Sequence, residues 1–242
     1  MEDRHAHWEE VYAKKQLHEV SWTQERPETS LRFISEVGLP TTASIIDIGG
    51  GDSRLVDCLL EMGFTDLTVL DISESAIARA KSRLGARANG VTWVVADIED
   101  FVPERSYDLW HDRATFHFLT TAQQVEAYVA KAAIAVSGYL TIGTFSENGP
   151  ERCSGLPVKQ YSEDELALVL ASGFRKIRCT HEDHFTPFNT IQNFLFCNFG
   201  GGGIELGRFN DRLLSGRCKP KPGNRQAQSA IANRAGMHCL RD

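Results

Sequence analysis

The fold is decided by a short apolar run that ends in three glycines and an acid, Ser44-Ile45-Ile46-Asp47-Ile48-Gly49-Gly50-Gly51-Asp52-Ser53. The run predicts a buried strand, and apolar residues recur at helical spacing from Leu55 to Met62. A strand that turns through glycines into a helix predicts a ligand site. Glycine lets the backbone approach a ligand closely, and a helix N-terminus offers free N–H groups.

The alternation of strand and helix continues along the chain. Further strands are predicted at 67–70, 91–95, 107–110 and 139–145, and helices at 75–84 and 121–136. Such alternation indicates a parallel sheet, and right-handed crossovers bring the strand ends to one edge. After a helix over 162–171, where Ser162 and Glu165 form a capping box, two final strands at 174–181 and 191–199 are predicted to pair antiparallel.

The predicted fold class is therefore α/β: a Rossmann-like, doubly wound, mostly parallel sheet of seven strands with an antiparallel last strand. Residues 1–43 form a predicted N-terminal helical cap, 44–199 the ligand-binding domain and 200–242 a basic tail. The tail begins with four glycines, has no hydrophobic period and is rich in Arg, Gly, Pro, Asn and Gln, a composition typical of disorder.

Charge and composition exclude several classes of partner. The net charge is −6, yet the tail carries eight basic and three acidic residues, so the body is strongly acidic. An acidic body argues against nucleic acid and favours a small molecule or a basic protein. The chain has no apolar run long enough to span a membrane, and its polar N-terminus is unlike a secretion signal.

The six cysteines contain no C-x-x-C pair, and their spacing matches neither a zinc site nor a disulfide framework. Several lie in apolar stretches, where a free thiol packs as a small hydrophobe. We therefore expect a reducing compartment and a cytoplasmic protein. The stretch His181-Glu182-Asp183-His184 is interpreted as a solvated loop, and no metal is predicted.

Acids close the first three predicted strands. Asp71 follows Asp47 by 24 residues, where an acid can accept hydrogen bonds from both hydroxyls of a ribose. Asp97 can accept one from the exocyclic amine of a base. Arg54 stands where the dinucleotide fingerprint requires Gly or Ala, so that fingerprint fails.

Three motifs together resemble those of the class I S-adenosylmethionine-dependent methyltransferases: 46–53 at the glycine turn, 70–73 after the second strand and 96–98 after the third. The resemblance covers residues 1–199. It implies that the glycine turn contacts the methionine part of S-adenosyl-L-methionine, that Asp71 holds the ribose and that Asp97 holds the adenine amine. Ser53 stands where the family often has a last glycine. The residues assigned to the cofactor are Asp47, Gly49, Gly50, Gly51, Asp71, Ile72, Asp97 and Ile98.

A narrower, partial similarity is to the methyltransferase-like branch that includes lysine methyltransferases of translation elongation factors. It rests on Trp8, Tyr12, Trp22 and the segment 111–116, although those lysine enzymes usually have Asp-Lys-Gly-Thr where this chain has Asp-Arg-Ala-Thr. The resemblance implies a methyltransferase that acts on a small-molecule or protein acceptor. The alternatives are a protein-lysine N-methyltransferase and a non-catalytic scaffold protein that only binds the cofactor.

The acceptor side is predicted from residues that follow the fourth and fifth strands. His111 and Asp112 follow the fourth strand, at the edge where open α/β sheets bind ligands. We expect them to be catalytic, because an ammonium acceptor must lose a proton and be oriented. Tyr12 and Trp22 offer aromatic faces that attract a sulfonium. The residues predicted to bind the substrate are Trp22, Arg113, His117 and Arg152.

Overall fold

Two helices precede the sheet, as the spacing of apolar residues predicts. They are α1 (Arg4–Lys14) and α2 (Glu28–Glu36). The computed structural model describes residues 4–16 and 19–201. All but the first two residues of the predicted tail therefore lie outside the described residues, and the division of the chain at 43 and 199 stays a prediction.

Seven strands form one twisted sheet. The strands are β1 (Ser44–Ile48), β2 (Asp66–Asp71), β3 (Val91–Val95), β4 (Tyr107–Arg113), β5 (Val136–Phe145), β8 (Phe174–Phe185) and β9 (Ile191–Gly201), in the spatial order β3-β2-β1-β4-β5-β9-β8. The first five run parallel, and β9 runs antiparallel to both β5 and β8. A short hairpin of β6 (Arg152–Cys153) and β7 (Leu156–Pro157), which the sequence pattern did not predict, follows β5.

Four further helices connect the strands: α3 (Leu55–Glu61), α4 (Glu74–Leu84), α5 (Ala122–Ala135) and α6 (Glu163–Leu170). Their starts follow from local chemistry. The Ser73 hydroxyl accepts a hydrogen bond from the Ala76 N–H at 3.1 Å and caps α4. The predicted capping box of Ser162 and Glu165 is present at the start of α6.

The core has two layers because side chains alternate across each strand. Ile46 and Trp110 belong to the cluster that includes residues of α5 and α6. Ile45 and Leu109 belong to the cluster that includes residues of α2 and α3. The helices thus cover both faces of the sheet, and the predicted doubly wound architecture is confirmed.

Two strands are longer than predicted. Strand β4 continues beside β5 as far as Arg113, so His111 and Asp112 lie inside the strand rather than after it. Strand β8 continues to Phe185, which pairs with Ile191, so the interpretation of 181–184 as a solvated loop is wrong. The first extension depends on pairing with β5 and the second on hairpin pairing with β9, and local composition reveals neither.

The expectation that all cysteines are free is also wrong. Cys179 on β8 and Cys197 on β9 are register partners, with Cα atoms 4.1 Å apart, and form a disulfide. Cys58 and Cys153 are free and buried. The register of the last two strands, rather than cysteine spacing, brings the pair together.

Residues 4–16 and 19–201 include no helix with the length and apolar character needed to span a bilayer. The same residues include no group of three or more His, Cys, Asp and Glu placed to hold a metal ion.

Candidate active site

A cleft lies at the carboxyl edge of β1 to β4 and is roofed by α1 and the loop at Trp22. It offers about 980 Å³ of unfilled space, part of which is open to solvent. Open α/β sheets bind ligands at this edge. Seven of the eight residues assigned to the cofactor line the cleft: Asp47, Gly49, Gly50, Asp71, Ile72, Asp97 and Ile98.

The glycine turn lines the cleft without placing a side chain in it. Gly51 has φ of +28°, and a Cβ atom there would lie 2.5 Å from Asp71 Oδ2. A Cβ atom on Gly50 would lie 2.5 Å from Asp47 Oδ2. Side chains at these positions would displace the carboxylates, so only glycine keeps both acids in place. Gly51 itself does not line the cleft but sets the position of Asp71.

Asp71 is buried at the end of β2, with its side chain against the turn. The Ser73 N–H donates a hydrogen bond to Asp71 Oδ1 at 2.8 Å. Burial nevertheless raises the pKa of the Asp71 carboxyl to about 7, and the neighbouring charges of Asp47 and Glu9 act in the same direction. The hydrogen bond from Ser73 thus does not offset the full cost of burying this charge. A carboxylate in that situation is suited to accept further hydrogen bonds from a ligand.

Asp97 also lines the cleft, and its carboxylate already forms an ion pair. The guanidinium of Arg4, on α1, contacts both of its carboxylate oxygens. The Asp97 Oδ1 atom also accepts a hydrogen bond from the Glu99 N–H at 2.9 Å, which fixes the side chain within its own turn. Arg4 Nη2 also lies 2.5 Å from Oδ2, so four contacts occupy the about four acceptor positions of this carboxylate, and a ligand amine would share an oxygen with Arg4.

Asp47, His111 and Ser30 form a buried hydrogen-bonded chain. His111 Nδ1 lies 2.7 Å from Asp47 Oδ1, and His111 Nε2 lies 2.9 Å from Ser30 Oγ. Both ring nitrogens are engaged, so His111 has no free nitrogen for an acceptor. Its geometry makes it a positioning residue that orients Asp47 beside the glycine turn.

The end of the cleft beyond the glycine turn is aromatic. The Trp8 ring is central to this group: it lies 5.7 Å from Trp22, 5.3 Å from Phe118 and 6.3 Å from Tyr12, measured between centroids. The first two contacts are edge-to-face, an arrangement that aromatic quadrupoles favour. We call Trp8, Tyr12, Trp22 and Phe118 the aromatic end.

Arg113 lies at the aromatic end and closes β4. Its Nη2 donates a hydrogen bond to the backbone oxygen of Trp22 at 3.0 Å. Burial lowers the pKa of the guanidinium, while the charges of Asp47 and Glu182 oppose that effect. Within the described residues, no carboxylate lies within 4 Å of the Arg113 guanidinium.

Three residues predicted for catalysis or substrate binding do not line the cleft. The first is Asp112, whose buried carboxylate accepts hydrogen bonds from the Tyr128 hydroxyl at 2.7 Å and from the N–H groups of Thr115 and Phe116 at 3.0 and 3.1 Å. The side chain therefore points to the α5 face of the sheet. We correct its predicted catalytic role to a structural one.

The other two are His117 and Arg152. The His117 ring is fully buried and stacks on Phe145, with centroids 4.3 Å apart, and burial lowers its pKa to about 3. The Arg152 side chain is exposed on the β6–β7 hairpin and donates to the Gly155 oxygen. Neither position supports the predicted contact with substrate.

Several residues of the cleft were missed by the sequence analysis: Arg4, Thr115, Phe118 and Leu119. Arg4 has no local signal, because its partner Asp97 lies 93 residues away. Thr115 donates a hydrogen bond from Oγ1 to the Ile48 oxygen at 3.2 Å and so ties the segment after β4 to the glycine turn.

An open α/β sheet with a glycine turn and acids at successive strand ends defines a class of nucleoside-binding folds. Residues 45–136 match the family model described as a methyltransferase domain. The malonyl-[acyl-carrier protein] O-methyltransferase of Bacillus cereus is 31% identical over 191 residues, which cover 71% of this chain and 70% of that protein. The chain belongs to the class I S-adenosylmethionine-dependent methyltransferases.

Other relatives match shorter regions. The malonyl-[acyl-carrier protein] O-methyltransferase of Anoxybacillus flavithermus is 36% identical over 105 residues, 43% of this chain and 39% of that protein. EEF1A lysine methyltransferase 2 of Mus musculus is 28% identical over 104 residues, 40% of this chain and 42% of that protein. The chain spans 39 to 62% of the length of the first three curated relatives that it matches.

Solved structures share the fold. The N-methyltransferase NodS of Bradyrhizobium japonicum, in complex with S-adenosyl-L-homocysteine, has a TM-score of 0.63 at 16% sequence identity, over 83% of this chain and 100% of that chain. These comparisons confirm the predicted fold class, the predicted family and S-adenosyl-L-methionine as the cofactor of that family.

Proposed function

We propose that the protein binds S-adenosyl-L-methionine in this cleft and transfers its methyl group to an acceptor at the aromatic end. The observation that carries the proposal is the convergence of Asp47, Asp71 and Asp97 around a bare glycine turn at one edge of the sheet. Asp47 and Asp71 lie on β1 and β2, and Asp97 follows the end of β3.

The residues present fit the cofactor. The turn at Gly49 and Gly50 would accommodate the methionine part, since both glycines line the cleft and neither carries a side chain. Asp71 would accept hydrogen bonds from the ribose hydroxyls, and Asp97 one from the adenine amine. The His111–Ser30 contact holds Asp47 in place beside the turn.

When bound, S-adenosyl-L-methionine supplies an electrophilic methyl group on a sulfonium, which is transferred by in-line displacement. Alignment of the acceptor is then the main requirement on the protein. The rings of Trp8 and Trp22 exclude water at the aromatic end, and their π faces favour positive charge nearby. An aromatic end of this kind also weighs against the alternative of a cofactor-binding scaffold protein, which needs no acceptor cleft.

The acceptor is a small molecule or a protein. The relatives include O-methyltransferases named for a malonyl group on a carrier protein and a lysine methyltransferase, so both classes occur among similar proteins.

That nucleic acid is not a partner stays a prediction from the acidic body. The cytoplasmic location also stays a prediction, and the Cys179–Cys197 disulfide removes part of its support.

Calorimetric titration tests the proposed function. We expect micromolar binding of S-adenosyl-L-methionine and S-adenosyl-L-homocysteine, and none of NAD. Asp71→Ala removes the ribose acceptor and should weaken binding by more than about tenfold. The control is Asp164→Ala, because that carboxylate is fully exposed and lies at the start of α6. Equal affinity of Asp71→Ala and the unaltered protein would contradict the assignment of the ribose site.

A further inference from the structure

The aromatic end of the cleft contains a guanidinium, that of Arg113, which forms no salt bridge within the described residues. Two arginines line the cleft, Arg4 and Arg113. Arg4 pairs with Asp97 and Glu99 at 2.5 and 2.6 Å. Arg113 has no such pair among residues 4–16 and 19–201, and its hydrogen bond goes to the neutral backbone oxygen of Trp22.

This arrangement leaves binding capacity at Arg113. A guanidinium has five N–H donors and stays protonated in proteins, while the contact with Trp22 uses one of them. Burial of a charge that is not hydrogen-bonded to a carboxylate is costly, and the charges of Asp47 and Glu182 offset only part of that cost at Arg113. A ligand carboxylate would offset that cost with a charge-assisted hydrogen bond.

Among the described residues that line this end of the cleft, none offers a free base, since the Asp71 carboxylate near Tyr12 is assigned to the ribose. Both ring nitrogens of His111 are engaged, and Asp112 points to the other face of the sheet. Burial raises the pKa of the Cys153 thiol to about 11 and that of the Tyr12 hydroxyl still further. An ammonium acceptor would have to lose a proton here, next to a fixed positive charge. A carboxylate is already an anionic nucleophile.

We propose that the acceptor is a carboxylic acid, that Arg113 binds its carboxylate and that the product is a methyl ester. The inference rests on the proposed function and names the substrate class of that site. One carboxylate oxygen pairs with Arg113 while the other attacks the methyl carbon. The new O–C bond forms as the S–C bond breaks, the electron pair of that bond goes to sulfur, and no proton has to leave. A lysine ammonium would be repelled by the same guanidinium.

Methyl transfer from labelled S-adenosyl-L-methionine tests the proposal. The full chain is incubated with malonyl-N-acetylcysteamine, succinate and citrate as carboxylates, and with a lysine-containing peptide as the amine. Methyl esters release volatile labelled methanol in base, whereas N-methyl and C-methyl products do not. We expect base-labile counts from at least one carboxylate and none from the peptide.

Variants then test the role of Arg113. Arg113→Gln should raise KM for the active carboxylate about 10- to 100-fold, as expected for the loss of a charge-assisted hydrogen bond. Arg113→Lys should recover part of that loss, because it keeps the charge without the planar fork. Both variants should bind S-adenosyl-L-homocysteine like the unaltered protein, which shows that they fold. Arg87→Gln is the matched control, since Arg87 lies outside the cleft and pairs with Glu61.

The outcomes separate the two proposals. Base-stable label, label on the peptide, or no transfer to any of the carboxylates by a protein that binds S-adenosyl-L-homocysteine would overturn the carboxylate proposal alone. An unchanged KM in Arg113→Gln would do the same. Failure to bind S-adenosyl-L-homocysteine would instead overturn the proposed function, and the acceptor class with it.

Discussion

The guanidinium of Arg4 contacts both carboxylate oxygens of Asp97: its Nη2 atom lies 2.5 Å from Oδ1 and 2.5 Å from Oδ2, and its Nε atom lies 3.1 Å from Oδ2. The pair joins α1 to the segment after β3, at the position assigned to adenine. Farther along α1, the carboxylate of Glu9 accepts hydrogen bonds from the N–H and hydroxyl of Ser75 at 3.1 and 2.6 Å. A third contact holds the same helix, because the Arg79 guanidinium donates a hydrogen bond to the Tyr12 backbone oxygen.

Arg4→Gln should therefore loosen the cofactor site. Asp97 would lose the contact that orients its carboxylate, and α1 would lose one of the contacts that hold it in place. We expect the Kd for S-adenosyl-L-homocysteine to rise about 3- to 10-fold through faster dissociation, measured by stopped-flow fluorescence. Lys14→Gln is the control, because Lys14 lies on the same helix in an exposed pair with Glu10. Tighter binding in Arg4→Gln would show that Arg4 competes with adenine.

The pKa of Asp71 predicts a pH-dependent affinity for the cofactor. With a pKa raised by burial to about 7, the carboxyl is mostly protonated at pH 6 and mostly ionised at pH 8. Ribose hydroxyls donate more strongly to the ionised form. The Kd for S-adenosyl-L-homocysteine should fall by up to about tenfold from pH 6 to pH 8, with uptake of a proton by the buffer. Calorimetry in two buffers of different ionisation enthalpy measures the Kd and the number of protons released to the buffer. Asp71→Asn should abolish the pH dependence of the Kd.

The same pKa makes a prediction for stability without cofactor. The pKa in the folded state lies above the unfolded value, so the folded protein binds more protons between about pH 4 and pH 7 and loses stability as the pH rises through that range. Asp71→Asn should remove this contribution and be more resistant than the unaltered protein to urea at pH 8. Equal stability at pH 8 would argue that the carboxyl ionises at its ordinary pKa.

Asp112→Ala should affect stability rather than cofactor binding. The change leaves the hydroxyl of Tyr128 and the N–H groups of Thr115 and Phe116 without their buried acceptor. We expect a loss of about 2–4 kcal/mol in the free energy of unfolding, measured with urea. Tyr128→Phe removes one of these hydrogen bonds and also the one that its hydroxyl accepts from Trp110 Nε1 at 2.9 Å, and should cost about 1–3 kcal/mol. If Asp112→Ala kept normal stability but lost methyl transfer, Asp112 would have a catalytic role after all.

Gly51→Ala should weaken cofactor binding by displacing Asp71. The new Cβ would lie 2.5 Å from Asp71 Oδ2, at a backbone φ of +28°. We expect the Kd for S-adenosyl-L-homocysteine to rise at least about tenfold. Gly85→Ala separates this effect from backbone strain, because Gly85 has φ of +58° but nothing within 4 Å of the added Cβ. That control should lose stability and keep its affinity.

Most of the fold and the cofactor side of the cleft could be predicted because their signals are local. Apolar residues at a period of two or near 3.6 distinguish strands from helices. Parallel strands joined by right-handed crossovers end at one edge. The glycines at 49–51 and the acids Asp47, Asp71 and Asp97 therefore had to meet there, whatever the details of packing.

The acceptor side could not be predicted, because it depends on where one strand ends. The apolar pattern places the end of β4 near Trp110, whereas pairing with β5 carries the strand to Arg113. Consecutive side chains on a strand point to opposite faces. His111 and Arg113 consequently reach the cleft, while Asp112 turns to Tyr128.

The sequence by itself thus determined the order of the elements, the family and the set of acids around the glycine turn, since each follows from neighbouring residues or from topology. Only the tertiary structure decided which residues share the acceptor end, that Arg4 reaches Asp97, and that Cys179 meets Cys197. These contacts join residues between 18 and 93 positions apart. Strand register and helix packing bring them together, and no local pattern encodes either.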